Sequence, residues 1–119
     1  MTADQRRSLM EKALADLHRR GKGYVLFADS SNGDNYAEID AQMRAEVSHR
    51  RWPASKLPPL TPQALGRLDR LGFREAERNL HQSFEGWSLG RIARSLESVF
   101  LEVYGCDAAF ELKVSAGEG

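Results

Sequence analysis

The sequence predicts an α+β fold in which a twisted antiparallel sheet packs against helices. Three observations predict it: apolar stripes at helical spacing, two β runs joined by a turn-rich segment, and a strictly alternating stretch too long for a loop. At 119 residues the chain has the length of one domain, read here as a single unit over 1–119, with enough surface to bury a real core.

The first helix is expected over 4–20. Leu9, Met10, Ala13, Leu14 and Leu17 recur on one stripe with charged residues between them; Thr2 or Asp4 caps it, and Gly21 and Gly23 end it. "GYVLFADS" then reads as a strand over 23–29, and "SNGDN" as the hairpin turn after it. From Ala37 to Ser48 odd positions are apolar and even positions polar, without Gly, Pro or Asn. That is one long, bent strand over 36–49 with its odd residues facing the helices. On this parity Arg44 and Arg50 belong to the wet face, while His49 and Arg51 sit where the strand stops at Trp52-Pro53.

"WPASKLPPL" carries three of the four prolines and is a loop. Thr61 as N-cap, Pro62 at the first helical position and the stripe Leu65, Leu68, Leu71 define a short helix over 61–71. Gly72 suits the left-handed position after it, with Phe73 folding back on Leu68. "REAER" reads as a charged connector and "NLHQSFE" as a weak strand. A long helix over 88–104 follows, capped by Ser88 and ended by Gly105, with Leu96 and Phe100 at the middle of its stripe. "AAFELKVS" alternates as a last strand over 108–115, and "AGEG" frays.

Charge and composition exclude some function classes. Seventeen basic residues balance seventeen acidic ones, so no global field draws the chain to nucleic acid or anionic lipid. The signs are nevertheless segregated: residues 1–22 sum to +3, 23–43 to −4, 44–78 to +4 and 79–119 to −3. Such blocks complement one another inside the fold or across a dimer interface; the weakness of exposed pairs favours the internal reading. No apolar run approaches the roughly 18 residues that span a bilayer, and the charged N-terminus has no signal-peptide core. Cys106 is the only cysteine, so no disulfide or thiolate metal cluster is expected, and a cytoplasmic location fits best.

No catalytic, cofactor or metal set emerges. Glu38, Asp40 and Glu46 form an acidic row, but a solvated strand face does not split carboxylate pKa values as acid–base chemistry requires. "DSSNGDN" lacks the ligand spacing of a calcium loop, with Asp40 where the closing glutamate would stand. Cys106 follows a helix C-terminus, whose dipole opposes a thiolate. Arg44, Arg50, Arg51 and Trp52 are the residues of an alternative, a nucleic-acid-binding reading of the 44–52 strand end, with the tryptophan stacking a base. Trp52, Leu57, Leu60, Phe84 and Trp87 belong clearly to no stripe, which marks them for an interface core.

One ordered set of motifs goes further. "RAEVSHRR", "LTPQALGRLDRLGF", the lone Asn79 and a long helix ending in Val103-Tyr104-Gly105 resemble the type III secretion chaperone-like superfamily, in its YbjN and TY-Chap branches. The matching positions are Glu46, Val47, Ser48 and Arg51, then Leu60, Thr61, Pro62, Leu68, Leu71, Gly72 and Phe73, then Asn79 and 103–105. The chain departs from that pattern where Leu80-His81 follows Asn79 in place of an aromatic, and where Phe73 replaces a tryptophan. The resemblance implies a chaperone-like α+β domain in a bacterial protein, non-enzymatic, binding a protein or peptide and pairing as a homodimer. It needs no cofactor and no membrane. Arg50, Arg51, Trp52, Leu80, Phe84 and Trp87 are the expected partner-binding residues.

Overall fold

A capping box starts the first helix: Thr2 Oγ1 accepts from Gln5 N, and Gln5 Oε1 accepts from Thr2 N. The computed structural model describes residues 1–50, 55–76 and 79–118, and α1 runs Ala3–Arg20 until Gly21, in the left-handed conformation, closes it onto Leu17 O. The sheet elements are β1 (Tyr24–Asp29), β2 (Asn32–Asp40), β3 (Arg44–Val47), β4 (Arg74–Ala76), β5 (Asn79–Ser83) and β6 (Leu112–Gly117). The other helices are α2 (Pro62–Arg70) and α3 (Leu89–Ser98), the latter continued by a π-helical turn, Val99–Val103.

The six strands form one antiparallel sheet in the order β4-β5-β3-β2-β1-β6. Val25, Phe27, Ala37, Ile39, Ala45 and Val47 are buried on its inner face with Met10, Leu14, Leu17, Ile92, Leu96 and Phe100 from the helices. The odd-inward register expected from the alternation holds, and Leu96 and Phe100 are fully buried. Schellman closure at the end of α2 follows its sequence grammar: Gly72 has φ +98° and Phe73 N donates to Leu68 O.

Three strand boundaries differ from expectation. The segment 36–49 is two strands, not one bent one, because the side chain of Asp40 makes a turn. Its Oδ1 accepts from both Gln42 N and Arg44 N, its carbonyl accepts from Met43 N, and Met43 takes φ +61°. Parity survives the reversal, so the alternation hid it. "REA" is not a connector but the strand β4, recruited by pairing with β5. The last strand lies at Leu112–Gly117 rather than over 108–115, and its "AG" is held rather than frayed. The ring of Tyr24 lies where a Cβ on Gly117 would stand, 2.3 Å away, so only glycine fits beneath it. The final turn of the long helix also departs from α geometry, with Tyr104 N donating to Val99 O.

Beneath the helices lies a charge that the sequence reading did not single out. Arg6 is fully buried and meets Glu97 through Nε at 3.0 Å to each carboxylate oxygen. Its remaining donors reach Met1 O, Phe110 O and Ala108 O, and its guanidinium stands 4.2 Å from the Phe110 ring centroid. One arginine therefore fixes α1 to α3 and fastens the loop that leads into β6.

Candidate functional site: an apolar groove around Trp87

Two turns clasped together build the groove. Phe84-Glu85-Gly86-Trp87 is a turn in which Trp87 N donates to Phe84 O and Gly86 supplies φ +81°, as a type II turn requires at its third place. Phe84 N donates in turn to Met43 O at 2.8 Å, so the Asp40 turn and the Trp87 turn are joined by their backbones. Ser88 then caps α3 by accepting from Arg91 N, which fixes Trp87 at the helix entrance.

The result is an open groove of about 770 Å³ between α1 and the start of α3. Its floor is Met43, Phe84, Trp87, Leu89 and Ile92; its rim carries Lys12, Asp16, His18 and Arg19 from α1. Trp87 is half-buried, its ring tilted on Phe84 with centroids 4.8 Å apart. The Arg91 guanidinium lies 3.7 Å from the indole centroid, a cation–π contact that holds the ring's orientation. An apolar floor with a mixed-charge rim suits a side-chain anchor flanked by polar groups.

Of the six expected partner-binding residues, Phe84 and Trp87 are brought together here. Phe84 is fully buried and serves as floor rather than as a free anchor. Leu80 belongs to the core under β3, opposite Val47, and does not line the groove. Arg50 sits at the other end of β3. Arg51 and Trp52 lie outside the described residues.

Arg50 is not on a wet face. It adopts φ +61° and turns its guanidinium onto Asn35 Oδ1 and Tyr104 O, 5.1 Å from the Tyr104 ring centroid. Arg44 is engaged by Asp40 Oδ2 at 3.0 Å. The motif residues around them are a structural network. Tyr104 Oη donates to Ser48 O at 2.7 Å, and Asn79 accepts from His49 N while donating to Glu46 Oε1 and Tyr36 Oη. Burial pushes the Tyr104 phenol up and overrides the opposing pull of the Arg50 charge. His49 is buried directly after β3, with Nε2 3.6 Å from Glu75 Oε1.

The remaining candidates for chemistry resolve in the same way. Burial and the nearby charge of Asp29, whose Oδ2 accepts from the thiol, push Cys106 up to about 12, so no thiolate nucleophile exists near neutrality. Among the described residues no three His, Cys, Asp or Glu side chains are placed to hold a metal ion. No described helix is long and apolar enough to cross a membrane. No protein-family model, no curated protein and no solved structure matches the chain.

Lys12, Asp16, His18, Arg19, Met43 and Leu89 line the groove without having been singled out for it. Met43 carried an inward parity and Leu89 opens the apolar stripe of the long helix; the charged residues gather from α1, distant in sequence.

Proposed function

We propose that this chain is a non-enzymatic, chaperone-like binding module that takes a protein or peptide segment into the Trp87 groove and works as a homodimer. The observation that carries the reading is the groove itself: an apolar floor that solvent reaches at Met43, Trp87 and Leu89, centred on an oriented tryptophan. Aromatic anchors in such surfaces concentrate binding energy, and a charged rim selects partners and sets encounter rates. The chaperone-like resemblance of 44–105 points the same way.

Selection from a random peptide library, followed by titration of the chosen peptides, tests it. Peptides with apolar anchors are expected, bound in a manner lost in Trp87→Ala and retained in Arg50→Ala. Peptides whose affinity ignores Trp87→Ala would overturn the groove. Oligonucleotides serve as the competing ligand. Micromolar or tighter binding that falls steeply with salt and vanishes when Arg44, Arg50 and Arg51 are neutralised would install the nucleic-acid alternative instead.

A further inference from the structure

β6 is the last strand of the sheet on its side, and its backbone states what can cover it. Ser30 N donates to Glu111 O at 2.9 Å. In an antiparallel ladder that register turns the amide groups of the odd residues of β6 toward β1 and leaves those of Leu112, Val114 and Ala116 facing outward. Water satisfies such a row while the edge is free, and a further strand can satisfy it with a continuous ladder.

Side chains along this edge repeat the message. Val114 and Leu9 are the two large hydrophobic residues that stand exposed among those described, at 38% and 39%. Both lie on this flank: Val114 and Ala116 border a groove of about 690 Å³ that the charged Asp16, Arg19, Arg20 and Glu118 also line, and Leu9 borders the adjoining one with Met1 and Glu111. β6 carries no proline, and its single charge, Lys113, has the parity of the opposite face. Edges that must stay free are blunted by shortness, charge or proline; this one is not.

From these features we infer that two copies of the chain pair antiparallel through β6, making one continuous sheet with the two α1 helices side by side over the seam. The inference rests on the dimer proposed above and assigns its surface. β6 is self-complementary in antiparallel register. A two-fold axis at Val114 sets Leu112 against the partner's Ala116 and Lys113 against its Ser115, so apolar residues meet apolar ones and no like charges oppose. The ends are complementary as well. α1 and β6 run in the same direction, with Glu111 beside Met1 at one end and Arg20 beside Gly117 O, at 3.4 Å, at the other. In this register Glu111 of one copy falls opposite Gly117 of the other, where that copy carries Arg20 and, one residue on, Glu118.

Light scattering at tens of micromolar tests the assignment. The wild-type chain is expected at twice its 13.4 kDa mass. Val114→Lys should give the monomer mass with an unchanged circular-dichroism spectrum; Leu9→Glu, outside the ladder, gives the same outcome and guards against a folding failure of the first. Trp87→Ala should leave the dimer intact. Glu111→Arg should raise the dimer dissociation constant by roughly tenfold, and adding Arg20→Glu should restore it. A dimer mass that survives both Val114→Lys and Leu9→Glu would overturn the β6 surface and leave the dimer standing. A wild-type monomer across the range would overturn both.

Discussion

The two edges of the sheet are built on opposite principles. β4 has three residues, all exposed, two of them charged, and Arg74 is tied back to Asp69 at the end of α2. β6 has six residues, only Leu112 of them buried, and presents free amides beside exposed apolar side chains. Shortness and charge make β4 a poor template for another strand. β6 is instead anchored at both ends: Arg6 holds the carbonyls of Ala108 and Phe110 ahead of it, and Tyr24 roofs Gly117 at its close. A strand fastened so firmly and left uncovered suits the contact surface proposed for it, whereas the β4 edge is blunted.

The largest effect on this contrast comes from breaking the anchor. Arg6→Ala leaves Glu97 buried without its partner, and removal of one member of a buried pair costs about 3–5 kcal/mol. Urea denaturation reads the loss, and residual stability in β6 should fall further than in β4. The double change Arg6→Met with Glu97→Leu should recover much of it, since an apolar pair replaces a buried ionic one at little cost. A loss within a few tenths of a kcal/mol for Arg6→Ala would mean that the junction is not what fastens the edge.

A smaller effect is expected at the far end of β6. Gly117→Val drives a side chain into the Tyr24 ring and should cost about 1–3 kcal/mol, partly relieved by Tyr24→Ala. Thermal melts of the two single variants and the double variant measure that coupling. Additive losses would show that the ring and the glycine are not in contact.

These anchors mark the limit of what the sequence discloses. Caps and stripes placed α1, α2 and α3, and alternation placed the inward face, because each is written in residues near one another along the chain. The Asp40 turn escaped because a side chain made it without changing the parity of Ala37, Ile39, Ala45 and Val47. β4 escaped because "REA" has no apolar alternation, and its conformation comes from pairing with β5. Arg6 and Glu97 stand 91 positions apart, and no local pattern joins them. Within the groove, Phe84 and Trp87 were legible as large apolar residues outside any stripe. Leu80, four positions before Phe84, went to the core because β5 directs it inward opposite Val47.

The smallest expected effect concerns the central strands between the edges. Glu38 lies directly opposite Glu46, and burial, then the charges of Glu46 and Asp40, raise its carboxyl above the usual range. A folded-state pKa above the unfolded one means that its contribution to stability is fully present below the unfolded pKa and is lost as pH rises through the folded value. Glu38→Gln should therefore stabilise the protein near pH 7 by a few tenths of a kcal/mol, the low end for like charges opposed on a wet face. The gain should vanish below about pH 4. A gain that persisted unchanged into acid would show that repulsion is not its source.

Hydrogen exchange resolved by residue tests the contrast between the edges most directly. At tens of micromolar, where the proposed dimer is expected to form, the amides of Leu112, Val114 and Ala116 should exchange slowly. On dilution they should become fast, while Lys113 and Ser115, bonded to β1, stay protected and the outward amides of β4 exchange quickly throughout. If Leu112, Val114 and Ala116 exchange as fast as the β4 edge at every concentration, β6 is an uncovered edge and the account of two copies joined there is wrong.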